Sequence, residues 1–146
     1  MRSQFHALKV QVEGQPIYSP FMILGTGIDF VSVARMGRFF NRHQQRGLKR
    51  LFTDGEQAYC LALVNPLPSL AARFAAKEAF YKAAGSGVGR VGGWLDVEVI
   101  RLGSGRPVLC LHGQAAVFAQ ESHVHKIHLS LSHTDELAAA TVLLEG

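Results

Sequence analysis

The hydrophobic period of this chain changes part-way along, and that change restricts the fold more than any other feature. Between Val31 and Ala84 apolar residues recur at three- and four-residue spacing, as in Val33, Met36, Phe40, Leu48 and Leu51. That spacing belongs to helices with one face in a core. Nearer the C-terminus the pattern alternates: Ile127, Leu129 and Leu131 are separated by His128, Ser130 and Ser132 in their neighbourhood, the two-residue period of a half-buried strand. Helices grouped early and strands grouped late predict an α+β fold, with helices packed on a mainly antiparallel sheet.

Local signals place the elements. Phe21–Leu24 reads as a short apolar strand, and Gly25-Thr26-Gly27 as a turn after it. Val31–Phe52 reads as an amphipathic helix. Thr53-Asp54-Gly55-Glu56 fits a capping box that opens a second helix, which ends by Asn65-Pro66. Ser69 begins a long Ala-rich helix that runs through Phe74 and Phe80 to Ala84 and stops at Gly85. Trp94–Leu102 alternates as a strand, Gly103-Ser104-Gly105 turns it and Pro107–Leu111 returns. Gly113–Gln120 reads as a short helix, and Leu137–Leu144 as a last apolar strand. Residues 1–21 carry Pro16 and Pro20, show no sustained period and precede a second methionine, Met22. They are expected to be a dispensable extension of a working domain at 22–146.

With 146 residues and 48% hydrophobic side chains, the chain can bury one real core and is not wholly disordered. No apolar run approaches the ~20 residues of a membrane-spanning helix. Cys60 and Cys110 are the two cysteines, too few for a disulfide scaffold, so a reducing cytoplasm is expected. The net charge of +4 favours an anionic partner. Six of the 15 cations, Arg35, Arg38, Arg42, Arg46, Lys49 and Arg50, lie in the first long helix with no carboxylate between Asp29 and Asp54. Helical spacing aligns Arg35, Arg38, Arg42, Arg46 and Lys49 along one side, where like charges repel unless something binds them. A nucleic acid or an acidic helix would fit, although few aromatics are interleaved for base stacking.

Two carboxylates stand apart. Asp29 precedes the basic helix and could simply cap it. Glu78 could simply pair with Lys82 one turn on, yet its helix is mostly alanine and aromatic, and a charge there needs a partner or a ligand. Two carboxylates without histidine or cysteine companions suit a hard ion such as Mg²⁺. His123-x-His125-x-x-His128 matches no standard zinc spacing. Gly85-Ser86-Gly87-Val88-Gly89 follows a helix instead of opening one, which is the wrong polarity for a dinucleotide loop. No G-x-S-x-G elbow is present. Ser132-His133-Thr134 ends an alternating strand, where it could meet a ligand or cap a turn.

Leu24-Gly25-Thr26-Gly27-Ile28-Asp29, Arg73-Phe74-Ala75-Ala76-Lys77-Glu78-Ala79 with Lys82, and Ser130-Leu131-Ser132-His133-Thr134 together resemble one family. It is the holo-acyl-carrier-protein synthase group of 4′-phosphopantetheinyl transferases, with the motifs in family order from Met22 to Glu145. Gly105-Arg106-Pro107 followed by Gly113-Gln114-Ala115-Ala116 is also similar. Ser32 and Ala34 stand where members often carry glutamates, so the first helix is more basic. The resemblance implies transfer of 4′-phosphopantetheine from coenzyme A to a serine of apo-acyl carrier protein, in support of fatty acid biosynthesis. It implies that Asp29 and Glu78 hold Mg²⁺ and that Lys82 lies beside the same phosphates. The serine's proton would go to a carboxylate or to metal-bound water. Arg73, Lys77, Gly85, Arg106, Pro107, Ser132, His133 and Thr134 would contact coenzyme A. Arg35, Arg38 and Arg42 would dock the acidic carrier protein, and three copies would form a trimer with sites between subunits. The alternative from the residues alone is a basic nucleic-acid-binding module without catalysis.

Overall fold

In the computed structural model the described residues are 22–146, together with 11–12 and 15–16. The expectation of a dispensable extension at 1–21 falls largely outside them. Strands β1 (Gln11–Val12) and β2 (Gln15–Pro16) form a two-residue ladder. After them come strand β3 (Ile23–Ser32) and helices α1 (Val33–Leu51), α2 (Asp54–Leu61) and α3 (Leu67–Ala83). Hairpin β4 (Val97–Arg101) and β5 (Pro107–Leu111), helix α4 (Gly113–Glu121), and strands β6 (Lys126–His133) and β7 (Leu137–Glu145) complete the chain. The larger sheet has the order β3-β7-β6, and every described ladder is antiparallel. The expected α+β architecture is observed.

Helix α3 is the core of the molecule. Leu70, Ala71, Ala75, Ala76, Ala79 and Phe80 are all fully buried, because a helix apolar on every side must be enclosed. One side of α3 meets the sheet, where Ala138, Ala140, Val142 and Leu144 of β7 alternate inward. Small residues on both sides let helix and sheet approach closely. Trp94 packs against Phe74 and Tyr81 at centroid separations of 5.0 and 6.0 Å, which anchors the start of the hairpin to α3. The Tyr81 hydroxyl donates to the Gly93 carbonyl at 2.6 Å. Burial first, and then the charge of Asp96, pushes its pKa up to about 12, so the donor keeps its proton.

Several sequence expectations need correction. Gly25-Thr26-Gly27 is the middle of β3, and no turn forms there. A Cβ at Gly25 or Gly27 would collide with the carbonyl oxygens of Ala83 and Ala79, respectively. The glycines therefore serve close approach of α3 to the strand, not chain reversal. Asp29 lies inside β3, and the cap of α1 is Ser32, whose Oγ accepts from the Arg35 amide at 3.2 Å. Residues Trp94–Asp96 form a 3₁₀ turn, and the strand begins only at Val97. Helix α1 is broken at Gln44, whose φ of 43° and ψ of −137° are not helical, so helical spacing no longer aligns Arg46 and Lys49 with Arg35, Arg38 and Arg42. The capping box at Thr53 and Glu56 forms as expected.

Candidate active site

The site begins with strand β3 lying against α3. Backbone approach at Gly25 and Gly27 brings the next inward residue of the strand, Asp29, against the C-terminal half of the helix. Lys82 Nζ donates to Asp29 Oδ1 at 2.8 Å and to the Ile28 carbonyl at 3.0 Å. Asp29 is thus drawn to a residue 53 positions away in sequence. The expected pairing of Glu78 with Lys82 is replaced by this bond, and no ion pair joins Glu78 to Lys82 among the described residues. Glu78 is nonetheless a neighbour. Burial, followed by the negative charge of Asp29, pushes its carboxyl above the ordinary carboxylate range, while Lys82 and Arg35 pull the other way. The hydrogen bond to Asp29 in turn holds the Lys82 ammonium above its usual value.

Asp29, Glu78, Lys82 and Arg35 therefore share one electrostatic neighbourhood. Two half-buried carboxylates face a single close ammonium, an arrangement that a further cation would relieve. Both offer only oxygen donors, which suits a hard divalent ion that retains water and substrate oxygens. The donor set fits Mg²⁺.

The other expected contacts are distributed differently. Lys77 is 0% exposed. Its Nζ pairs with Glu56 at 2.8 Å and donates to the carbonyls of Trp94 and Val97. Burial pulls its pKa down, opposed chiefly by Glu56. This lysine ties α3 to α2 and to the hairpin and does not face a ligand, which corrects the expectation that it contacts coenzyme A. Arg73 is also buried. Its guanidinium lies 4.2 Å from the Tyr59 ring centre and donates to Ser69 Oγ at 2.6 Å, while its Nε has no partner among the described residues. Gly85 follows α3, Arg106 immediately precedes the return strand that Pro107 starts, and Ser132 and His133 end β6 with Thr134 just beyond. Thr134 Oγ1 accepts from the amides of Glu136 and Leu137 at 3.2 and 3.1 Å, the turn-capping role weighed for it. Arg35, Arg38 and Arg42 are exposed on the first segment of α1. Sequence reasoning recognised Glu56 only as a cap; its fully buried ion pair with Lys77 depends on a contact 21 residues away that no spacing rule reveals.

Comparison with known proteins adds an independent line. Residues 25–142 match the model of the 4′-phosphopantetheinyl transferase superfamily. A holo-acyl-carrier-protein synthase from Koribacter versatilis is 47% identical over 124 residues, covering 85% of this chain and 99% of its own length. The crystal structure of the Neisseria meningitidis synthase superposes with a TM-score of 0.79 at 29% identity, over 84% of this chain and 98% of that one. A Bacillus anthracis synthase in complex with coenzyme A (3′,5′-ADP) has a TM-score of 0.71 at 34% identity, over 85% and 97% of the two chains.

Proposed function

The chain belongs to the 4′-phosphopantetheinyl transferase superfamily, and from that membership we propose that it acts as a holo-acyl-carrier-protein synthase. It transfers 4′-phosphopantetheine from coenzyme A to a serine of apo-acyl carrier protein and releases adenosine 3′,5′-bisphosphate. The observation that carries this reading is the meeting of Asp29 with Lys82 and Glu78 across the β3–α3 contact. Phosphoryl transfer asks the protein mainly for positioning and charge neutralisation, and this cluster is equipped for both.

Asp29 and Glu78 would hold Mg²⁺. When bound, the cation supplies neutralisation of charge at the attacked phosphorus and on the departing phosphate. Lys82, oriented by Asp29 and the Ile28 carbonyl, brings a fixed positive charge to the same phosphates. Gly85, Arg106, Pro107, Ser132, His133 and Thr134 would contact coenzyme A. Arg73 joins them, because its buried Nε is a donor that a phosphate oxygen would satisfy. Lys77 is left to the core. Arg35, Arg38 and Arg42 would grip the acidic carrier protein, and the influence of Arg35 on Glu78 supports a docking face that starts near the carboxylates.

A trimer with sites between subunits is supported by the sheet face that α3 leaves uncovered. Ile28 and Phe30 there are 51% and 57% exposed. A concavity of ≈ 440 Å³ lined by Thr26, Ile28, His128, Ser130, Thr141 and Leu143 lies beside them. No helix among the described residues is long and apolar enough to cross a membrane.

The direct test incubates the protein with coenzyme A, Mg²⁺ and apo-acyl carrier protein and weighs the carrier by mass spectrometry. A gain of one phosphopantetheine arm is expected, and an unchanged carrier mass would overturn the proposal.

A further inference from the structure

The β4–β5 hairpin carries a second set of metal-ligating side chains, remote in sequence from Asp29 and Glu78. Glu98 and Cys110 are directly opposed in the ladder, so their side chains leave the same face of the hairpin. His112 follows Cys110 by two residues and therefore returns to that face. One donor atom from each of Glu98, Cys110 and His112 lies within 4.8 Å of the other two, the only such trio among the described residues. We propose that these residues form a second cation site, a thiolate–imidazole–carboxylate set that takes Zn²⁺ and leaves one coordination position open.

Three observations support the assignment. Glu98 is already oriented, because the Thr53 hydroxyl donates to its Oε1 at 2.7 Å and leaves Oε2 directed at His112 Nε2, 2.8 Å away. A carboxylate fixed by a hydroxyl behind it is the usual support of a metal ligand. Opening the Oε2–Nε2 separation to about 3.3 Å would admit an ion at ordinary tetrahedral Zn–O and Zn–N distances. His112 is half exposed, with 46% of its side chain accessible, so a side-chain rotation suffices and there is an entry path. The ligand chemistry also discriminates: sulfur and imidazole favour Zn²⁺ over Mg²⁺, so this site would not compete for the ion held by Asp29 and Glu78. A surface Glu–His pair on its own would leave the adjacent thiol without a role.

The test uses the full chain, cleared of metal with a chelator, and titrates Zn²⁺ against a chromophoric competitor. Co²⁺ serves as a spectroscopic substitute. The expected results are one tightly bound Zn²⁺ per chain, a thiolate-to-Co²⁺ charge-transfer band, and a melting temperature about 8 °C higher at a hundredfold excess over Kd. Cys110→Ser should abolish the band, and Cys110→Ser or His112→Gln should weaken Zn²⁺ binding at least 100-fold, whereas Cys60→Ser should do neither. Zn²⁺ should also protect Cys110 of the unaltered protein from alkylation, mapped by mass spectrometry, a readout that needs no variant to fold. Absence of the charge-transfer band, unaltered affinity in Cys110→Ser, or unchanged alkylation of Cys110 would overturn the proposal.

Discussion

At Glu78 a single carboxyl is held out of balance by its surroundings. Burial and the neighbouring Asp29 both raise its pKa above the value it has in an unfolded chain. Between those two values the folded protein binds a proton that the unfolded chain has released, so stability falls as pH rises through that window. Glu78→Gln should flatten this part of the stability–pH curve in chelator-treated protein, as followed by urea unfolding at a series of pH values. A steeper curve in the variant would contradict the assigned cause. Lys82 is the opposite case: an exposed ammonium oriented by Asp29 and a backbone carbonyl. On the proposed mechanism its charge would act as the phosphate leaves. Lys82→Met should lower turnover by about 10²-fold with little change in KM for coenzyme A, measured by steady-state carrier loading.

At the scale of elements, the active site depends on how closely β3 can lie on α3. Gly27→Ala would drive a methyl group into the Ala79 carbonyl. The elements would have to separate, at a cost of about 3 kcal/mol or more, and Asp29 would be carried away from Lys82. Chemical denaturation and carrier loading should both register the change. The order of helices and strands was legible because hydrophobic period reports which face is buried. The role of the Gly25-Thr26-Gly27 segment was not: glycine permits both a turn and a close approach, and only the position of Ala79 and Ala83 distinguishes them. Lys77 was misread for a related reason, since its family-like motif says nothing about the buried Glu56 that takes its charge. Lys77→Met leaves that carboxylate uncompensated and should cost about 3–5 kcal/mol in urea unfolding. The variant's folded fraction should keep the KM for coenzyme A, whereas a large rise would restore the ligand-contact role. The break at Gln44 was likewise hidden, because nothing in the helical spacing of α1 marks it.

Across the described residues, one surface of the sheet is filled by α3 and the other is open, while Arg35 at the start of α1 is near enough to Glu78 to act on its charge. Arg35→Glu combined with Arg42→Glu should raise the KM for carrier protein by at least tenfold and spare coenzyme A, and the unaltered protein should lose carrier affinity as salt is added. Equal loss for both substrates, or a flat salt response, would argue against electrostatic docking. The most direct test of the central claim, that Asp29 and Glu78 act together on the transferred phosphate, is carrier loading by Asp29→Ala and Glu78→Ala beside the parent protein. Each carrier would be weighed after reaction with coenzyme A and Mg²⁺, with circular dichroism confirming the fold. The account predicts a loaded carrier from the parent protein and an unmodified one from either folded variant; normal Mg²⁺-dependent loading by either variant would contradict it.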